Sequence, residues 1–146
     1  MTGGYGTLQA IKVWWASQAS LQALVTGGQL WHLEAPETAT IEPYLTFFRV
    51  SEVPVTWTTG YAYRESTIQF SLHATTAESA ESIARTISDA MSTIGGSGAG
   101  ATFTIHGQDS IHVLPDSFST ALGEGLGTGG RDCWICSFVA TVPWTD

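Results

Sequence analysis

Charge is what this sequence has least of. Lys, Arg, Asp and Glu make up 12% of its 146 residues, about half the share usual in a soluble domain. A surface so poor in charge is expected to be covered by copies or partners. The plain alternative is a small soluble domain rich in Thr and Ser. The five basic residues form no cluster and face thirteen acidic ones, for a net charge of −8. Sequence-driven nucleic-acid binding needs a cationic footprint, and none is present. Cysteine is limited to Cys133 and Cys136, too few for a disulfide framework. No apolar run approaches the length of a membrane span. Residues 1–6 lack the charged start and apolar run of an export signal, and glycine is not second, so there is no myristoylation start. The expectation is a soluble chain made in the cytoplasm.

Hydrophobic residues reach 43% and include six Trp, which excludes a disordered tail. The length suits one domain, residues 1–146, with a real core. The clearest pattern runs from Thr67 to Ile94. Ile68, Phe70, Leu72 and Ala74 alternate with Thr67, Gln69, Ser71 and His73, which is a half-buried strand. Thr75-Thr76-Ala77-Glu78 then reads as a capping box with Thr75 as the cap. Ala80, Ile83, Ala84, Ile87, Met91 and Ile94 follow at helical spacing, and Gly95-Gly96 stops the helix. An earlier helix is expected over Thr7–Val25, with Leu8, Ile11, Trp15 and Ala19 on one face and a candidate break at Ser20. Strands are expected at 29–33, 43–50, 64–74, 101–105, 111–114 and 132–142, the last with Trp134, Cys136, Phe138, Ala140 and Val142 on one face. Val53–Gly60 reads as a loop or irregular edge, and Pro115–Gly130 as a long flexible loop. Runs of strands rather than strict alternation with helices give an α+β fold: a mostly antiparallel β-sheet with two helices packed on one face.

No motif carries chemistry. Cys133-Trp134-Ile135-Cys136 has C-x-x-C spacing, but it lies in a strand, where positions three apart point to opposite faces. Redox use needs a thiol at a helix start, and zinc would need His106 and His112 to converge on diverging thiols. Gly95–Gly100 follows a helix, opens a strand and lacks Lys, so it fails as a phosphate loop and reads as a connector. His73 sits on the polar face of its strand, as a solvated or interface histidine. Glu78 and Glu81 are explained by capping and by an i,i+4 pair of Glu81 with Arg85. No nucleophile elbow and no His-Glu-x-x-His occurs. The expectation is no catalytic residue, no cofactor and no metal.

Several local patterns, taken in order, resemble one family. They are Leu21-x-x-Leu24-Val25-x-Gly27-Gly28-x-Leu30-Trp31; Ala35-Pro36 followed by Pro43-Tyr44-Leu45-Thr46-Phe47; the strand Ile68–Ala74 with its capped helix; and the apolar last strand from Trp134 to Val142. In that order they resemble the tail terminator, or tail-completion (head–tail joining), proteins of long-tailed bacteriophages and prophages. The resemblance implies a structural virion protein and no enzyme activity. It implies a homo-oligomeric ring, a hexamer, at the head-proximal end of the tail. Such a ring ends polymerisation of the tail tube protein and joins the tail to the head-completion or connector protein. DNA would pass through without specific binding, and no membrane is involved. The segment Val53–Tyr63 places Trp57, Tyr61 and Tyr63 beside turn-forming residues, and these are the candidate interface anchors. The alternative class is a small-ligand or carbohydrate-binding module stacking sugars on Trp31, Trp57, Tyr61, Tyr63 and Trp134.

Overall fold

A computed structural model describes residues 3–33, 41–56, 62–92, 103–105, 108–110 and 114–144. In chain order these form α1 (Gly3–Ala16), α2 (Ala19–Gln22), a 3-10 turn (Thr26–Gly28), β1 (Leu30–His32), β2 (Tyr44–Thr56), β3 (Ala62–Ala74), α3 (Ala77–Met91), β4 (Phe103–Ile105), β5 (Gln108–Ser110), β6 (Leu114–Gly123), a second 3-10 turn (Thr128–Gly130) and β7 (Cys133–Trp144). Five strands make one sheet in the order β1-β2-β3-β7-β6, and β4 and β5 make a separate ribbon. Only β1 runs parallel to its neighbour. This is the expected α+β architecture with a mostly antiparallel sheet.

The alternation in β3 decides which face is buried. Phe70 lies opposite Phe47 on β2 and Phe138 on β7, and Leu72 lies opposite Leu45 and Cys136. The three phenyl rings stack across the strands at 5.9 and 5.2 Å, and Phe118 of β6 adds a tilted ring 5.4 Å from Phe138. Ile11, Trp14 and Trp15 of α1 join the same core as Ala80, Ala84, Ile87 and Met91 of α3. Both helices therefore cover one face of the sheet. Each fully buried Phe or Leu contributes about 1.5–3 kcal/mol of transfer free energy, so this face is the main source of stability.

Local chemistry moves several boundaries. The first helix ends at Ala16, not Val25. The Ser17 hydroxyl donates to Trp14 O at 2.6 Å, and Gln18 leaves helical geometry at φ −107° and ψ 70°. A side chain that satisfies a helix carbonyl in this way competes with continuing the helix. The break thus precedes Ser20, Ala19 is exposed, and Trp14 replaces it in the core. On α3 the cap is Thr76, one residue later than expected, and its Oγ1 accepts from Ser79 N at 3.1 Å. Glu81 does accept from Arg85 Nε at 3.3 Å. The expected loop at Val53–Gly60 is in part strand: β2 and β3 pair from Tyr44–His73 out to Thr56–Ala62. Pro54 is tolerated because this half of β2 lies on the sheet edge. The expected flexible loop at 115–130 is strand β6 followed by a hydrogen-bonded turn. Of the strand expected at 111–114, Leu114 opens β6 and the rest lies outside the described residues, whereas β5 lies at Gln108–Ser110.

Candidate interface

One end of the sheet is closed by two Thr-Gly-Gly turns that grip the same dipeptide. Thr26 N donates to Pro43 O at 2.7 Å, and Thr26 Oγ1 donates to Glu42 O at 3.2 Å. From the other side, Thr128 N donates to Glu42 Oε1 at 2.7 Å, and Thr128 Oγ1 donates to Glu42 Oε2. The glycines serve this geometry: Gly27, Gly28, Gly129 and Gly130 all have φ between 67° and 77°, a region costly for other residues. Tyr44 OH donates to Leu126 O at 3.1 Å, and Gly125 N donates to Asp132 Oδ1 at 3.0 Å. Burial would raise the Glu42 carboxyl, but the Thr128 hydroxyl and the backbone of Glu42 and Thr128, helped by His73, outweigh it and hold it below the ordinary range. Burial, with Cys133 and Glu42 nearby, pushes Tyr44 up to about 12. The turn that carries exposed Leu126 is therefore held in place.

His73 is on the polar face, as its position in the alternation requires, but it is not solvated. Its ring stacks on Tyr44 at 4.2 Å with the planes 8° apart, and only 9% of the residue is exposed. Burial pushes its imidazole below the ordinary value, against backbone groups of Ser71 and Tyr44 and the nearby Glu42 carboxylate. The two thiols diverge as the strand period demands. Cys136 lies opposite Leu72 in the apolar core. Cys133 lies opposite Gly123, and burial, then Glu42 and Asp132, raise its thiol. His106 and His112 lie outside the described residues. Among the described residues no group of three His, Cys, Asp or Glu is placed to hold a metal ion, and no helix is long and apolar enough to cross a membrane.

Of the three candidate anchors, Trp57 and Tyr61 lie outside the described residues. Tyr63 is in β3, opposite Val55, near the tip of the β2–β3 hairpin. Trp31 sits beside Thr46 on the open face, whereas Trp134 sits opposite Ala74 and packs on the core. These two aromatics do not share a platform for a sugar. What the sequence did not reveal is how the exposed apolar residues are distributed. Leu33 follows β1, Val50 and Val53 lie on β2, Leu122 on β6 and Leu126 in the adjoining turn, each at least 46% exposed. They flank the two edges of the sheet. The face away from the helices carries Thr46, Phe48, Thr67, Gln69, Ser71, Ser137, Val139 and Thr141, with a Ser71–Ser137 hydroxyl contact of 3.0 Å. No Lys or Arg lies on it. Arg49 is level with Ile68, on the helix-covered side, and Arg64 is two residues before Ser66 on that side; Lys12, Arg85 and Arg131 belong to α1, α3 and the turn.

No protein-family model matches this chain, and no curated protein matches it. A solved structure does. The chain is similar in fold to a protein of the virion of a native gene transfer agent particle, with a TM-score of 0.67 and 18% identity over 98% of this chain and 99% of that one. At that identity the likeness is one of fold, and it runs from end to end of both chains.

Proposed function

We propose that this chain is a structural virion subunit of the tail terminator type and has no enzyme activity. Copies form a ring, a hexamer, that caps the tail tube at its head-proximal end and offers a docking surface to the head connector. The observation that carries this reading is the end-to-end fold likeness to a virion component, which agrees with the resemblance in the sequence. The open sheet face adds support. It carries hydroxyls, Gln69, Phe48 and Val139, with the carboxylates of Glu65 and Asp116 and no cation, and a bore lined by such a face would let DNA slide without gripping its phosphates. Trp57, Tyr61 and Tyr63 remain the proposed anchors to neighbouring components. Electron microscopy of the purified protein, alone and mixed with tail tubes, tests the reading. Rings seated on tube ends are expected. A monomer that leaves tube ends bare and tube growth unchecked would overturn it.

A further inference from the structure

The sheet has two open edges, and we propose that they pair with each other between neighbouring copies: residues 119–123 of β6 in one subunit lie antiparallel against residues 48–53 of β2 in the next. This rests on the ring reading above. Among the described residues, β6 pairs only with β7, and β2 beyond Phe47 pairs only with β3. Edge strands of monomers are guarded by charge or proline, because an unpaired ladder recruits other chains. Ser119-Thr120-Ala121-Leu122-Gly123 contains neither, while the 48–53 segment ends just before Pro54 and its two charges, Arg49 and Glu52, pair with each other at 3.5 Å. Apart from Val13 and Ile41, every large exposed hydrophobic among the described residues flanks one of these edges: Leu33, Val50 and Val53 on one side, Leu122 and Leu126 on the other.

Strand polarity fits the pairing. β6 runs opposite to β7, β7 opposite to β3, and β3 opposite to β2, so β2 runs opposite to β6. A neighbour carried round a ring keeps its strand sense, and its β2 therefore meets β6 antiparallel. The two surfaces differ and lie at opposite ends of the sheet, which is the head-to-tail contact that closes rings.

The stagger fits as well. Register places Ser119 level with Ser137, Ser71 and Thr46, and Ala121 level with Ile135, His73 and Tyr44. At that height β1 already occupies the β2 edge. The free segments are thus offset by about six residues, or ~20 Å at ~3.3 Å per residue, while the four strands that repeat from one β2 to the next, spaced ~4.8 Å, span ~19 Å. A step of ~20 Å along the strands for ~19 Å across them tilts the strands by about 46° from the ring axis, at the steep end of the tilt of roughly 35–45° that closed sheets adopt.

Cysteine pairs in the full chain test this. Ala121→Cys would be combined in turn with Val50→Cys, Ser51→Cys and Val53→Cys, all at exposed positions, and oxidised with and without tail tubes. The native thiols are buried and stay out of the reaction. At least one pair should give a ladder of linked subunits rising to the closed ring on a non-reducing denaturing gel. Leu122→Lys, exposed in the subunit, should leave the melting temperature unchanged and lower ring yield at least tenfold. Normal rings with no pair cross-linking would overturn the edge pairing and leave the ring standing. Dimers from Ala121→Cys alone would replace it with a two-fold β6–β6 contact. Absence of rings under every condition would remove the ring reading and this inference together.

Discussion

Gly127→Ala separates the clamp around Glu42 from ordinary loop chemistry. Gly127 has φ −89° and ψ −178°, a conformation any residue adopts. On backbone grounds alone, alanine there should stabilise by about 0.4–1 kcal/mol, because it narrows the unfolded ensemble. The packing reverses the sign. A Cβ at Gly127 would collide with Glu42 Oε1 and come within 2.8 Å of Arg131 O and 3.2 Å of Asp132 O. The turn must then withdraw from the carboxylate and give up the bonds from Thr128 N and Oγ1. Hydrogen bonds to a charged group contribute about 1.5–3 kcal/mol each when buried. Water reaches this site and takes over part of each bond, so the net cost is about 1–3 kcal/mol. Gly129→Ala is the control. It has open space but φ 67°, and it should cost about 1 kcal/mol from the left-handed backbone alone. Urea unfolding at pH 7 and again at pH 4 measures both. The Glu42 carboxyl is held below its ordinary 4.5, so its contribution is present above that pH and is lost as pH falls through the lower folded value. The Gly127→Ala cost should therefore shrink on acidification, while the Gly129→Ala cost should not. A Gly127→Ala protein as stable as the parent at pH 7 would refute the clamp.

Three further outcomes follow. Ile87→Ala removes a fully buried side chain from the face of α3 that covers the sheet, and thermal or urea unfolding should register a loss of about 2–5 kcal/mol. Exposed Ser82→Ala should stay within about 0.5 kcal/mol. Ser88, which the helical spacing would place toward solvent, is only 6% exposed and is no suitable control. Acidification should destabilise through His73: its folded value is depressed below 6.5, so the unfolded chain binds the proton first and stability falls as pH drops below about that value. His73→Gln should flatten that part of a melting-temperature profile, and an unchanged slope would assign it elsewhere. Trp57→Ala with Tyr61→Ala should leave the melting temperature nearly intact while abolishing ring formation or head–tail joining in an assembly assay. Normal assembly would remove these anchors, and a large thermal loss would make them caps on the subunit's own sheet.

Periodicity made the core legible. Ile68, Phe70, Leu72 and Ala74 announced the buried face of β3, Phe138 and Ala140 that of β7, and Ala80, Ala84 and Ile87 that of α3, because each element is apolar on one side only. Boundaries were less legible wherever a single hydroxyl decides them. Ser17 ends α1 by bonding Trp14 O, and Thr76 rather than Thr75 caps α3; both residues of each choice are chemically suited. The 115–123 segment was unreadable as strand because an edge strand with Pro115, a register shift between Asp116 and Ser119, and Ser117 at φ 58° has no clean alternation. The two Thr-Gly-Gly turns look like helix stop and flexible loop in sequence. Their common target, Glu42, lies sixteen residues after Thr26 and eighty-six before Thr128, a relation local pattern cannot express.

The shortage of charge gains a structural meaning from where the few charges sit. A free-standing sheet usually keeps its solvent face wet with Lys and Glu and guards its edges the same way. Here Arg49 and Arg64 both turn toward the helix-covered side and meet Glu52 at 3.5 and 3.4 Å, leaving the open face without a cation, its charges being the carboxylates of Glu65 and Asp116. The last strand segment on the β6 edge carries no charge at all. Random depletion would thin charges everywhere. The proposed ring would need cations absent from the face that DNA slides past and unpaired charge absent from the edges that meet. In this chain no cation lies on the open face, the 119–123 edge carries no charge, and Arg49 and Glu52 on the β2 edge hold each other.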